Sequence, residues 1–212
     1  PLPGPLASAS GSTVRACAEL LAAEPHLWTG RMNAVYALGP VASPHLVDGL
    51  AKTPHAPGAQ AAIALLGAIG DEDAARYLEE LVRERGKLAT EAALALGQLR
   101  ASAAASTLLQ CANDRFADAT LRTAAACSAV RIGHRKEVAT VLQGVMLAGT
   151  PAGQELRRQL GLPEKARWAH ERYLIQRLLR DEAPEIVSFD TDAPWPDLQR
   201  AAKRLADWLL RD

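Results

Sequence analysis

The 212-residue chain carries 24 basic and 24 acidic side chains, with 49% hydrophobic residues but only 4% aromatics. Ala and Leu dominate the apolar set and favour helix, while the β-branched and aromatic residues that strands prefer are sparse, so the expected class is all-α. Residues 1–60 hold 3 basic and 3 acidic residues, 61–150 hold 10 of each and 151–212 hold 11 of each; no segment has the basic excess that phosphate contacts require, and no nucleic-acid partner is expected.

Three cysteines, Cys17, Cys111 and Cys127, are odd in number, widely spaced and set among apolar residues at helical spacing. That pattern predicts buried reduced thiols in a reducing, cytoplasmic compartment, and no CxxC pair suggests zinc. No apolar run approaches the roughly 18 residues of a transmembrane candidate. The first residue is Pro1 rather than Met, and we expect the chain to be part of a longer one.

Residues 1–12, PLPGPLASASGS, have the composition of a flexible arm or linker, and a single domain is expected over 13–212. Val14, Cys17, Leu20 and Leu21 fall at spacings of three and four, which predicts a first helix over 13–23 capped by Ser12 or Thr13. Residues 24–30 read as a connector. A clipped helical pair follows: a helix over 31–38, a stop at Pro40, then a short helix with Ser43 at its cap and Pro44 in its first turn.

Residues 61–109 are two copies of one pattern: an Ala/Leu-rich helix, a tight polar turn and a second amphipathic helix. Gly67 matches Gly97, Ile69 matches Leu99 and Leu78 matches Leu108, each 30 positions apart. A period in this range marks stacked repeats. In the first copy, Asp71, Glu72 and Asp73 open the second helix, where negative charge suits the N-terminus. Ala74, Ala75, Leu78, Leu81 and Val82 form its apolar face, and Arg76, Glu79, Glu80 and Arg83 the other.

A fourth copy spans 116–149, and there Leu108 and Gln110 correspond to Val141 and Gln143, now 33 apart. Such drift fits helix pairs joined by variable loops. Beyond Gly149 the repeat fades. A long helix is expected over 163–180, a proline-broken loop over 181–195, and a last helix over 196–210 that covers the end of the stack, with Trp168, Trp195 and Trp208 packed where it closes.

ALLGAIGDEDAARYLEEL resembles the short HEAT repeats of the phycobilisome-lyase type; ALALGQLRASAAASTLLQ and ACSAVRIGHRKEVATVLQ are further copies, and the resemblance covers roughly residues 31–149. It implies a right-handed α-solenoid whose second helices line the concave side, with 150–212 as a C-terminal helical cap. The residues so presented for a partner are Arg76, Glu80 and Arg83, then Gln110 and Asn113, then Arg135, Lys136 and Gln143, with His170 from the long helix.

The function expected is a non-catalytic scaffold that binds a protein or peptide along this face, without a cofactor. A lyase-like or other HEAT-repeat enzyme is the alternative, and a HEAT-like nucleic-acid binder a further one. His170-Glu171 is the only His-Glu pair, and no catalytic or metal-binding set emerges: GxSxG, HExxH and a Gly-rich phosphate loop are all absent from the sequence.

Overall fold

The computed structural model describes residues 5–148, 169–184, 186 and 195–211. Among them every element is helical: eleven α-helices and three short 3-10 turns, with no strand. They group into two compact units, Pro1–Ala101 and Ser102–Asp212.

The first unit opens with α1 (Pro5–Leu21), which begins well before the expected position. Residues 5–12 are therefore helical rather than a linker. Pro5 lacks only an N–H that the first turn of a helix leaves unused, and Leu6, Ala7 and Ala9 favour the helix. Ser12 and Thr13 lie inside α1 instead of capping it, and Thr13 is buried. The expected connector is also partly helical: a 3-10 turn at Pro25–Leu27 leads into α2 (Trp28–Tyr36). The Trp28 indole Nε1 donates to the Ala23 carbonyl at 2.9 Å and fastens this corner.

The stop at Pro40 is carried by Gly39, whose φ of +66° is left-handed and suits glycine. A 3-10 turn over Gly39–Ala42 follows, and then α3 (Ser43–Lys52). Ser43 was expected at the cap but is the first helical residue, fully buried. Its hydroxyl donates to Asp71 Oδ1 at 3.3 Å, which ties the start of α3 to the start of α5.

The best repeat copy forms α4 (Ala59–Ile69) and α5 (Glu72–Glu84), and the next begins with α6 (Ala89–Gln98). The first of the three acidic residues expected to open α5, Asp71, is its cap, accepting from the Ala74 N–H at 3.0 Å. Helix α6 packs on α4, and α5 packs on both α3 and α6. The contact of α4 with α6 is close because it is made by small residues: a Cβ on Gly67 would stand 2.9 Å from Ala95 Cα.

The second unit begins with a 3-10 turn at Ser102–Ala104. It continues through α7 (Ala105–Asn113), α8 (Ala119–Arg131), α9 (Arg135–Leu147), α10 (Ala169–Glu182) and α11 (Trp195–Leu209). Every residue of α8 from Leu121 to Val130 is buried, because α7, α9 and α10 all pack against it. Asp118 caps α8, accepting from the N–H groups of Thr120 and Leu121. Helix α9 also touches α7, and α11 lies on α9 with Leu198, Ala202, Leu205, Trp208 and Leu209 buried.

The beginning of the long helix, over 163–168, the loop over 187–194 and the side chains of Trp168 and Trp195 lie outside the described residues. Within each unit, first helices rest on first helices and second on second: α6 on α4 and α5 on α3, then α10 on α8 and α9 on α7.

Candidate binding surface

Helix α5 sorts its side chains sharply. Ala74, Leu78 and Val82 are buried, while Arg76, Glu80 and Arg83 are exposed. Arg76 pairs with Asp73 at 3.0 Å and Glu72 at 3.8 Å, and Arg83 pairs with Glu79. These are exposed contacts at i,i+3 and i,i+4, each worth only about 0.2–0.5 kcal/mol. A partner carboxylate can therefore displace them cheaply. Tyr77 sits beside this row, half-buried; burial pushes its phenol pKa above the ordinary value, and Glu84 and Glu80 add to the shift.

In the second unit, Gln110 and Asn113 are exposed on α7. Asn113 Nδ2 donates to the Leu109 carbonyl at 2.9 Å, one turn back in its own helix. On α9, Lys136 is exposed and Gln143 half-buried. Arg135 is turned inward instead, its guanidinium 4.6 Å over the Trp208 ring. That contact fastens α11 to α9.

His170 and Glu171 diverge. His170 is exposed, whereas Glu171 is 5% exposed and accepts from the Thr120 hydroxyl at 2.6 Å. Helix α10 rests chiefly on α8, so His170 continues the row of first helices rather than the row that carries Gln110 and Lys136. Arg76, Glu80 and Arg83 are thus the predicted residues that a single helix face gathers, while Arg135 is withdrawn into packing and His170 belongs to another row.

No group of three or more His, Cys, Asp or Glu side chains among the described residues is placed to hold a metal ion. Cys17, Cys111 and Cys127 are buried, and none is in a disulfide. Burial pushes the Cys17 thiol up to about 11 and the Cys127 thiol up to about 12, far from the range of a reactive thiolate.

A cleft of about 350 Å³ opens between two loops, 53–58 and 85–88, which precede α4 and α6 in successive repeats. Pro54, Pro57, Leu81 and Leu88 supply apolar wall, and His55, Gln60, Glu84 and Lys87 supply the polar groups. Gln60 Nε2 donates to Glu91 Oε1 at 3.1 Å and links the first turns of α4 and α6. None of these polar residues stands out in the sequence. The available signal is positional: Pro57 and Lys87 are 30 apart, so they occupy equivalent places in neighbouring repeats. Sequence reading also passes over Phe116, which is 82% exposed with the Arg115 guanidinium 4.9 Å over its ring.

These features define an all-helical, repeat-like protein. No helix among the described residues is long and apolar enough to cross a membrane. No family model, curated protein or solved structure matches the chain.

Proposed function

We propose that the chain is a HEAT-like right-handed α-solenoid acting as a non-catalytic scaffold that binds a protein or peptide. The principal contact is the outward row Arg76, Glu80 and Arg83 on α5. The observation that carries this reading is that row itself: an ordered helix face with both signs of charge, held only by exposed pairs that a partner can replace. Gln110 and Asn113 on α7 and Lys136 on α9 extend the same kind of polar face in the second unit. The packing of second helix on second helix within each unit supports the solenoid arrangement. Three buried thiols outside any disulfide support a reducing, cytoplasmic setting.

The test is affinity capture from the native host with mass spectrometry, run in parallel on the wild type and on an Arg76→Glu/Arg83→Glu variant. A specific protein should be retained by the wild type and released by the variant, while a Lys52→Glu control on α3 keeps it. Equal capture by wild type and double variant removes the α5 row from the interface. Salt-sensitive retention on DNA would favour the nucleic-acid reading instead.

A further inference from the structure

The cleft between loops 53–58 and 85–88 adjoins the C-terminal end of the Arg76–Arg83 row, through Leu81 and Glu84 of α5, and has its own chemistry. Among the described residues, His55, Glu84 and Lys87 form no ion pair with one another or with any neighbour. Three solvent-exposed ionisable groups thus line one small recess beside the apolar side chains of Leu81 and Leu88. Its volume of about 350 Å³ lies at the lower end of the roughly 300–1,000 Å³ range of small-ligand sites, enough for one residue and its flanking groups.

The mixed lining discriminates among ligands. A simple anion would use Lys87 and leave Glu84 and the apolar wall unused, and a simple cation would use Glu84 and leave Lys87. A purely apolar body would cover Leu81 and Leu88 but leave both exposed charges without a partner. A ligand that satisfies the whole lining carries an anion, a hydrogen-bond donor and an apolar group within the span of one residue.

We propose that this cleft binds the free C-terminal end of a peptide chain whose last side chain is aliphatic. The terminal carboxylate lies on the Lys87 ammonium with the His55 ring beside it. The last peptide N–H donates to Glu84, and the aliphatic side chain rests on Leu81 and Leu88. The proposal rests on the reading of the chain as a peptide-binding module, but it places the contact at a second position with a test of its own.

The experiment titrates three probes into the full chain and follows backbone amide shifts by NMR. The probes are acetyl-Ala-Ala-Leu with a free carboxylate, the same tripeptide as its C-terminal amide, and 4-methylpentanoate, an aliphatic acid without a peptide N–H. The free acid should shift the amides of His55, Lys87 and Leu88 saturably. The amide should bind about tenfold more weakly or worse, which is the loss of one charge-assisted contact. 4-Methylpentanoate should also bind more weakly, because it offers Glu84 no donor. Lys87→Gln should reduce binding of the free acid to the level of the amide. Lys87 is exposed, so this variant keeps the fold, as its helical circular dichroism will confirm.

The proposal is overturned by equal binding of acid and amide, by 4-methylpentanoate matching the tripeptide, by Lys87→Gln leaving affinity unchanged, or by no saturable shift around the cleft. Arg76→Glu alone, two turns of α5 away from Glu84, should leave the tripeptide titration unaltered. Tripeptide binding without lysate capture then removes only the α5 reading, and capture without tripeptide binding removes only this one.

Discussion

Cys17 and Cys127 are 2% and 3% exposed, and burial raises both thiols from an ordinary value of 9.0, to about 11 and about 12. The folded state therefore holds these protons more tightly than the unfolded chain does. The resulting stabilisation is complete below pH about 9 and is lost as pH rises through the folded values. We expect the thermal midpoint of the wild type to fall between pH 9 and 11 more steeply than that of a Cys17→Ala/Cys127→Ala variant. Identical pH profiles would refute the linkage.

At the same scale, Thr120 donates to one oxygen of the buried Glu171, and the other oxygen, Oε2, has no hydrogen-bond partner among the described residues. Replacing Thr120 with Val leaves both oxygens unsatisfied, at a cost of about 1–3 kcal/mol. Arg83→Ala breaks only the exposed pair with Glu79 and should cost no more than about 0.5 kcal/mol. Urea unfolding of the two variants should rank them in that order, and a harmless Thr120→Val would show that Glu171 finds another donor.

Among the elements, the small residues of α4 set how closely helices approach. The Gly58 N–H donates to the Leu21 carbonyl at 2.9 Å, and a Cβ at Gly58 would lie 1.9 Å from the Leu20 carbonyl oxygen. Gly58→Ala therefore forces the end of α1 away from the start of α4. At Gly67 an added Cβ meets the movable Gln98 side chain at 2.4 Å, but it also meets Ala95 Cα, which cannot swing aside.

Alanine gains about 1 kcal/mol of helix propensity over glycine, against overpacking of about 1–3 kcal/mol, so Gly67→Ala is net destabilising. Gly86 has open space around its Cβ direction, and Gly86→Ala should be close to neutral. Chemical denaturation should place the three in the order Gly58, Gly67, Gly86, from most to least damaging. A stable Gly58→Ala would contradict the close approach of α1 to α4.

For the whole molecule, each compact unit carries its own buried apolar set: Leu46, Leu50, Ile63, Leu66, Leu78 and Leu96 in the first, Leu108, Leu142, Met146 and Ile175 in the second. A fragment of residues 1–101 expressed alone should be helical and melt cooperatively, since none of its own buried side chains is removed by the cut. A broad, non-cooperative melt would show that this unit depends on residues beyond 101.

From the sequence alone followed the helical class and several helix boundaries, including the acidic opening of α5 at Asp71 and the stop at Pro40. All of these are local: helix periodicity, capping and backbone stops act within a few residues of the chain. Residues 5–12 escaped because a tally of Pro, Gly and Ser does not register that Pro5 stands where a helix tolerates it. What the tertiary structure alone decided is the fate of individual polar side chains. Arg135 folds onto Trp208, Glu171 turns inward while its neighbour His170 faces water, and two loops 30 residues apart come together so that His55, Glu84 and Lys87 share a cleft. Each depends on which helix happens to lie opposite, and a pattern read along one helix carries no information about its neighbour's surface.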